Sequence, residues 1–304
     1  MAQHERNIVL VVNPSAGGGK GRQTLDRALP LFRERRVDPR VIVTRSGAEA
    51  TDLARRVADD GAQLVVAVGG DGHLAAVAEA LVGTRTPLAV LPAGSANDYA
   101  RIIGMPRRDL GASIDALLDG KTKWVDAMAV SSASATRIFL NVVGTGFDAV
   151  VAQTAGRMPL MRSGGRYVLA IVRELPRFKA ATLQLTVDGQ PQEVRAMMIA
   201  VANGHSYGGG MRIAPDAALD DGTLEICIVG EVSTVAFIRA FPRVFRGTHV
   251  THRAVTMLKG RDVQIDADRQ LPLVGDGELL HGLPTRVKVM PAALSIVFPP
   301  GKID

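Results

Sequence analysis

The sequence predicts an α/β domain followed by a mostly antiparallel all-β domain, and three observations predict it. From Asn7 to Leu118, short apolar runs alternate with stretches of helical periodicity, the pattern of βαβ units in a parallel sheet. Two of these runs end on polar, glycine-bearing loops, Gly69-Gly70-Asp71-Gly72 and Gly94-Ser95-Ala96-Asn97-Asp98. After Trp124 the chain changes to segments rich in Val, Ile and Thr, separated by turns such as Val187-Asp188-Gly189-Gln190, as in antiparallel sheets.

In chain order, Asn7–Val12 is a strand, Asn13–Gly21 a glycine-rich turn and Arg22–Arg36 a helix. The turn is not a Walker loop, because Gly21 follows Lys20 where Ser or Thr is needed, nor is it G-x-G-x-x-G, because Arg22 takes the last glycine's place. Its backbone N–H groups suit a phosphate, and its glycines equally suit an ordinary strand–helix turn. Arg40–Thr44 is a strand and Ala48–Ala58 a helix, with Thr51 as its cap or first-turn residue. Gln63–Val68 leads through the first polar loop into a helix, His73–Val82. Pro87–Ala93 leads through the second loop into another. Asp109–Leu118 is helical and Gly120 stops it. The expected strands of the second half are Lys123–Val130, Arg137–Val143, Thr182–Val187, Val194–Ala202, Leu224–Val229, Val255–Leu258, Val263–Ala267, Thr285–Met290 and Leu294–Phe298. A helix near Tyr167–Leu175 interrupts them. Ser233–Phe245 carries Pro242, so it is kinked or split.

Composition bounds the class. A chain of 304 residues suits two domains, and 47% hydrophobic residues are enough to bury a core in each. The single cysteine, Cys227, has no internal partner, which fits a reducing compartment. No apolar run approaches the ~18 residues that span a bilayer. His4, Glu5 and Arg6 precede an apolar run too short for a signal sequence. The chain reads as soluble and cytoplasmic. The net charge of +6 admits nucleic acid, anionic lipid or phosphate-rich ligands.

Ligands of open α/β sheets bind beyond the carboxyl ends of the strands. Both polar loops fall at such ends, so they are expected to share one crevice. Glycines such as Gly69, Gly70, Gly72 and Gly94 let backbone approach a phosphate, and free N–H groups at a helix start attract anions. Ser95 and Asn97 are expected beside the nucleotide, and Asp71 and Asp98 can hold a cation there. Asp98 can also cap its own helix. A plain D-G turn would explain the first loop taken alone; the pair points to a nucleotide-phosphate and magnesium site.

Three further stretches carry chemistry. Asn203–Gly210 follows a strand and ends in three glycines, which implies close packing or unusual dihedrals. Asp220-Asp221-Gly222-Thr223 suits either a hard cation or a hairpin turn. In Asp276-Gly277-Glu278 two carboxylates at i and i+2 point to one face, as a metal anchor and a general base would. The histidines show no metal spacing. Phe237, Phe241 and Phe245 recur every four residues, which is first of all a core stripe. Even so, Ser233–Arg261 carries six Lys/Arg and no acid. Arg157, Arg162, Arg166, Arg173, Arg177 and Lys179 form a second basic run. Basic surface beside apolar residues suits an anionic membrane face. Nucleic acid is disfavoured, with one Trp, three Tyr and no recognisable module.

Together NPSAGGGKG at 13–21, VGGDGHL at 68–74, LPAGSANDYAR at 91–101, GTGFDA at 144–149, VANGHSYGGGMRIAPDAALDDGTLEI at 199–226 and GDGE at 275–278 resemble the diacylglycerol kinase catalytic family, in particular the soluble bacterial lipid kinases. The resemblance is collinear over nearly the whole chain. It implies a phosphofructokinase-like α/β domain, residues 1–126, and a β-sandwich domain, residues 127–298, with ATP in the cleft between them. The end, 299–304, would be free to return to the first domain.

By the same resemblance, Asn13, Pro14, Ser15, Ala16, Gly17, Thr44, Gly69, Gly70, Asp71, Gly72, His73, Leu74, Ala75 and Ser95 contact ATP. Asp71 and Asp98 organise phosphates and Mg2+. Glu278 matches the general base that takes the proton of the lipid hydroxyl as it attacks the γ-phosphate. Asp276 and Asp148 support the metal and its water network. Ala218 and Thr223, through carbonyls, and Asp221 match a structural magnesium site. Phosphoryl transfer asks for this division of labour: positioning, neutralisation of oxygens and a base. The sequence departs from the family at His73, where Thr or Ser is usual, and at Ala75, where Asn is usual.

The resemblance implies an ATP- and Mg2+-dependent kinase making phosphatidic acid from diacylglycerol, acting transiently at the inner membrane face. The alternatives are a kinase for a sphingoid base or ceramide, and a catalytically weak nucleotide-binding regulator, for which His73 speaks. NAD kinase shares Gly-Gly-Asp-Gly but fits the downstream stretches less well. A homodimer stays open.

Overall fold

The structure, a computed structural model, describes residues 7–132, 135–158, 163–280 and 282–301, and of residues 163–166 the backbone alone. His4, Glu5, Arg6, Arg162 and residues 302–304 lie outside the described residues. The chain divides into two units, Met1–Ala127 with Ala292–Asp304, and Met128–Pro291.

The first unit runs β1 (Ile8–Val12), α1 (Ala16–Glu34), β2 (Arg40–Val43), α2 (Gly47–Asp59), β3 (Leu64–Gly69), α3 (Asp71–Leu81), β4 (Leu88–Pro92), α4 (Asp98–Ile102), α5 (Leu110–Asp119) and the start of β5 (Lys121–Ser131). Its strands form a parallel sheet in the order β2-β1-β3-β4. Every residue of β1 and β3 is buried, as central parallel strands require. Leu25, Ala28 and Phe32 of α1 and Ile114 and Leu117 of α5 close one face over Leu10 and Val66. The alternate residues Val9, Val11, Val65 and Ala67 are equally buried, on the side where α2 and α3 pack together. Strand order turns back between β1 and β3, so the crevice of this sheet lies beyond their carboxyl ends.

Local chemistry sets the helix starts. Ser46 caps α2, its hydroxyl accepting the Glu49 N–H at 3.2 Å. Thr51, expected at the cap, instead donates to the Ala76 carbonyl at 2.8 Å and ties α2 to α3. Gly17, Gly18 and Gly19 have φ of 60°, 73° and 96°, so the regular part of α1 follows a left-handed glycine turn.

The second unit continues with β6 (Thr136–Phe139), β7 (Val142–Gly146), α6 (Phe147–Gly156), α7 (Ser163–Glu174), β8 (Ala181–Val187), β9 (Gln190–Ala202), β10 (Leu224–Gly230), α8 (Thr234–Ala240), β11 (Val255–Gly260), β12 (Asp262–Ala267), β13 (Leu273–Gly275), β14 (Glu278–Leu280) and β15 (Thr285–Phe298). The β6–β5, β7–β9, β8–β9, β9–β10, β10–β11, β12–β8, β12–β15, β13–β7 and β13–β14 ladders are antiparallel. β9 serves two groups of strands. Its first half pairs β8, and from Ala196 to Ala202 it pairs β7 and β10. Such switching folds a sheet back on itself as a sandwich, around Leu183, Leu185, Ile199, Val201, Ile226 and Val287. The α/β and antiparallel sandwich-like architecture is therefore the expected one.

Three segments differ from expectation. The single strand Arg137–Val143 is two, β6 and β7, because the N–H groups of residues 140–142 turn to a side chain described below. Thr285–Met290 and Leu294–Phe298 are one strand, β15. Its Ala292 has a φ of 46° and donates its N–H at 2.7 Å to buried Asp126. From there the chain belongs to the first unit and Ile296 pairs Leu88 in parallel. The sandwich unit thus ends at Pro291 rather than 298, and the return begins at Ala292 rather than 299. Ser233–Phe245, by contrast, is split as expected from Pro242, into α8 and a 3-10 turn, Phe241–Arg246. The helix α6 and the short pair β13–β14 have no counterpart among the expected elements.

Candidate active site

In the first unit three loops meet at the carboxyl ends of β1, β3 and β4. The Asn13 N–H donates to the Val68 carbonyl at 3.0 Å. A Cβ on Gly17 would stand 2.5 Å from the Ala93 carbonyl oxygen, and one on Gly94 would stand 2.5 Å from the Gly70 Cα. Gly70 and Gly94 therefore touch backbone to backbone, which no other residue type permits. Asn97, with φ 52°, closes the second loop by accepting the Gly94 N–H at 2.8 Å and donating to its carbonyl at 3.0 Å. Asn13 braces the first, accepting the Ser15 N–H at 3.1 Å and hydroxyl at 2.8 Å. Pro14, Ser15, Ala16 and Ser95 are at least partly open to solvent. The N–H groups of Asp71, Gly72 and His73 occupy the first turn of α3, where no helical acceptor exists.

The acids of these loops are partly used. Asp71 Oδ1 accepts the Tyr99 N–H at 3.0 Å and so holds the start of α4. Asp98 is 3% exposed and pairs with Arg101 at 2.8 Å. Arg107 lies within electrostatic reach of both Asp98 and Asp71; partial desolvation and the neighbouring Arg101 hold its pKa down. Arg101 was legible as the i+3 partner of Asp98. Arg107 had no such signal.

Four expected nucleotide contacts point elsewhere. The His73 ring is buried, and its Nε2–H donates to the Val11 carbonyl at 2.9 Å. Burial lowers its pKa. The imidazole thus ties α3 to β1 and does not stand in for a phosphate-binding hydroxyl; only the His73 backbone N–H faces the loop. Leu74 and Ala75 are each 2% exposed, packed in the core. Thr44 is 2% exposed and its hydroxyl donates to the Val12 carbonyl at 3.1 Å.

In the second unit Asp276 and Glu278 part company. Asp276 sits at φ 46°, and its carboxylate accepts the N–H groups of Leu140 at 2.8 Å, Asn141 at 3.2 Å and Val142 at 3.0 Å. It is the anchor that breaks β6 from β7. Glu278 opens β14, is about one-third exposed, and pairs with Arg137 at 3.1 Å. Arg137 is 141 residues away in sequence, so no spacing could have revealed it.

Asp148 lies over Gly144, where a Cβ would meet its Oδ2 at 2.1 Å. Desolvation pushes its pKa up to about 7, against hydrogen bonds from the Ala149 N–H and the Tyr207 hydroxyl. Asp221 Oδ1 accepts the Thr223 N–H at 2.9 Å and hydroxyl at 2.8 Å, and its Oδ2 faces Lys259 at 3.7 Å. Lys259 also pairs with buried Glu225 at 3.0 Å. Among the described residues no three His, Cys, Asp or Glu side chains converge as a metal cluster. Mg2+ commonly binds through one or two carboxylates plus substrate phosphates, and Asp71, with one oxygen still open, fits that mode.

A nucleotide-type α/β crevice on one unit and an antiparallel sandwich on the other define a two-domain kinase architecture. Comparison with known proteins agrees along the chain. Residues 7–130 match the diacylglycerol kinase catalytic domain, and residues 141–298 match the YegS C-terminal NAD kinase beta sandwich-like domain. The chain is 31% identical over 302 residues to a diacylglycerol kinase of Mycobacterium tuberculosis, covering 98% of this chain and 97% of that one. It is 26% identical to a diacylglycerol kinase of Bacillus subtilis over 97% of both. With a Pseudomonas aeruginosa protein named "Probable lipid kinase YegS-like" it shares 29% identity, over 97% of this chain and 95% of that one. A crystal structure of a diacylglycerol kinase from Bacillus anthracis superimposes with a TM-score of 0.74 at 21% identity, over 99% of this chain and 100% of that one. The chain belongs to the diacylglycerol kinase catalytic family. It is a lipid kinase, an enzyme class that draws its phosphoryl group from ATP. Among the described residues no helix is long and apolar enough to cross a membrane.

Proposed function

We propose that this lipid kinase phosphorylates diacylglycerol to phosphatidic acid. The observation that carries the nucleotide half is the backbone contact of the loops Gly69–Gly72 and Gly94–Asp98 at the ends of adjacent parallel strands. Glycine backbone and helix-start N–H groups there bind phosphate oxygens, with Asn13–Gly17 alongside and Arg101 and Arg107 adding positive charge. Asp71 and the phosphates would hold Mg2+, which would neutralise charge on the transferred group. Glu278 takes the proton from the lipid hydroxyl as its oxygen bonds to the γ-phosphorus and the bond to ADP breaks. Arg137 orients the Glu278 carboxylate. Asp276 acts on catalysis only by fixing the turn that carries Glu278. The enzyme works from the cytoplasmic side on an anionic membrane surface. The relatives that are diacylglycerol kinases by name support the acceptor.

A second reading is another lipid alcohol, such as a sphingoid base or ceramide: the YegS-like relative is a lipid kinase by name, with no acceptor stated. An acceptor screen decides: purified protein, labelled ATP, Mg2+ and mixed micelles of each lipid alcohol, wild type beside Glu278→Ala. Labelled phosphatidic acid lost in the variant is the expected result. Preferential labelling of a sphingoid base or ceramide establishes the second reading. ATP binding with no labelled lipid overturns both and leaves a nucleotide-binding regulator.

A further inference from the structure

We propose that the outward faces of α7 and α8 form the surface by which this chain docks on an anionic bilayer. The choice of a bilayer as occupant rests on the lipid-kinase reading. Seven of the ten large apolar side chains exposed among the described residues lie on α7, α8 and the turn after it. Val168, Val172, Val235 and Ile238 are 63%, 64%, 58% and 59% exposed. Single exposed apolar residues are ordinary, whereas such a concentration marks a contact surface.

The core does not need these side chains. Ala170 and Ile171 of α7 and Phe237 of α8 turn inward and join one cluster around Phe147. Phe147 meets Phe237 edge-on at 5.2 Å and Phe178 at 5.5 Å. Both helices thus pack on the same cluster, and Val168, Val172, Val235 and Ile238 are left outside it.

Charge selects the occupant. Three of these seven apolar positions are followed by an exposed arginine: Val172-Arg173, Ile238-Arg239 and Phe245-Arg246. Glu174, the one acid of α7, accepts the Thr154 hydroxyl at 3.1 Å and lies 3.5 Å from Arg173, so Arg239 and Arg246 carry the charge of this face; residues 233–261 contain no acid. A second copy of this face would set arginine against arginine. Anionic headgroups receive the guanidinium groups while the apolar side chains enter the acyl boundary.

The test is sedimentation of the full-length protein with vesicles of phosphatidylcholine and phosphatidylglycerol, without ATP. Wild type should bind and be released by salt. Val172→Asp with Ile238→Asp should lower binding at least about tenfold, on the scale of the lost apolar burial. Arg239→Gln should lower it about fivefold. All these positions are exposed, and circular dichroism reports whether each variant is folded. The double aspartate variant should phosphorylate a short-chain, water-soluble diacylglycerol as wild type does while losing activity on vesicles. Wild type that ignores anionic vesicles, or folded variants that bind them as wild type does, overturn the proposal. So does a dimer that the aspartates split while vesicle binding persists. If vesicle binding responds as expected but no diacylglycerol is labelled, docking stands and the assigned acceptor falls.

Discussion

In the first unit Asp71 gives one carboxylate oxygen to the Tyr99 N–H and keeps the other open, and the loops around it end in helix-start N–H groups. In the second unit Asp276 gives its carboxylate to three N–H groups of residues 140–142, and Asp221 is held by Thr223 and Lys259. The first region is a site built of backbone, with side chains keeping the loops in shape. The second is a scaffold of satisfied acids that presents one carboxylate, Glu278, against one arginine. An acidic residue in a glycine turn is thus no guide to chemistry until its hydrogen bonds are counted: the carboxylate with three backbone donors is architecture, and the one with a single donor is a candidate reagent.

Substitutions sharpen or break that contrast. The largest effect is expected from Asp276→Ala. It orphans three N–H groups, each worth about 1–3 kcal/mol, so denaturant unfolding should show a loss of at least about 3 kcal/mol and activity should fall with it. An unchanged midpoint would erase the distinction between Asp276 and Glu278. Glu278→Gln should do the reverse, lowering kcat about 10²- to 10⁴-fold as expected for a lost general base. Its exposed ion pair with Arg137 limits the stability change to about 1 kcal/mol.

Asp148 tests the scaffold by pH. Folded, it holds its proton up to about 7; unfolded, it releases it near about 4. Between those values the native state binds more protons, so stability should fall as pH rises, by at most about 4 kcal/mol. Urea unfolding of the metal-free protein should show this slope, and Asp148→Asn should remove it.

In the first unit Gly94→Ala should force the two loops apart, at about 1–3 kcal/mol for an overpacked contact, and raise the Kd for ATP measured by calorimetry. His73→Ala should have the smallest effect on the nucleotide. It leaves the Val11 carbonyl without its donor, about 1–2 kcal/mol of stability, with ATP affinity nearly unchanged. A large loss of ATP affinity would return His73 to the binding surface.

Much of the fold was legible. The apolar runs at β1, β3 and β4 and the glycine loops after them are local signals, and they mark the sheet and its crevice. Less of the site could be read. His73 looked like a phosphate contact because it follows Gly-Gly-Asp-Gly, yet its ring reaches Val11 on the neighbouring strand. Arg107 carries no periodic or spacing cue. The strand Arg137–Val143 was read as continuous because nothing nearby in sequence shows that Asp276 will capture its N–H groups.

By itself the sequence determined the order of strands and helices, the places where glycine lets backbone approach a phosphate, and the basic, apolar segment from Ser233 onward. These follow from side-chain periodicity and backbone freedom, which act over a few residues. Only the tertiary structure decided which acids remain open. Asp276 is satisfied by Leu140, Asn141 and Val142, and Glu278 by Arg137, 141 residues away. Those partners exist only once β13 pairs with both β7 and β14 in a particular register, and register is set by the packing of the whole sheet rather than by any stretch of its sequence.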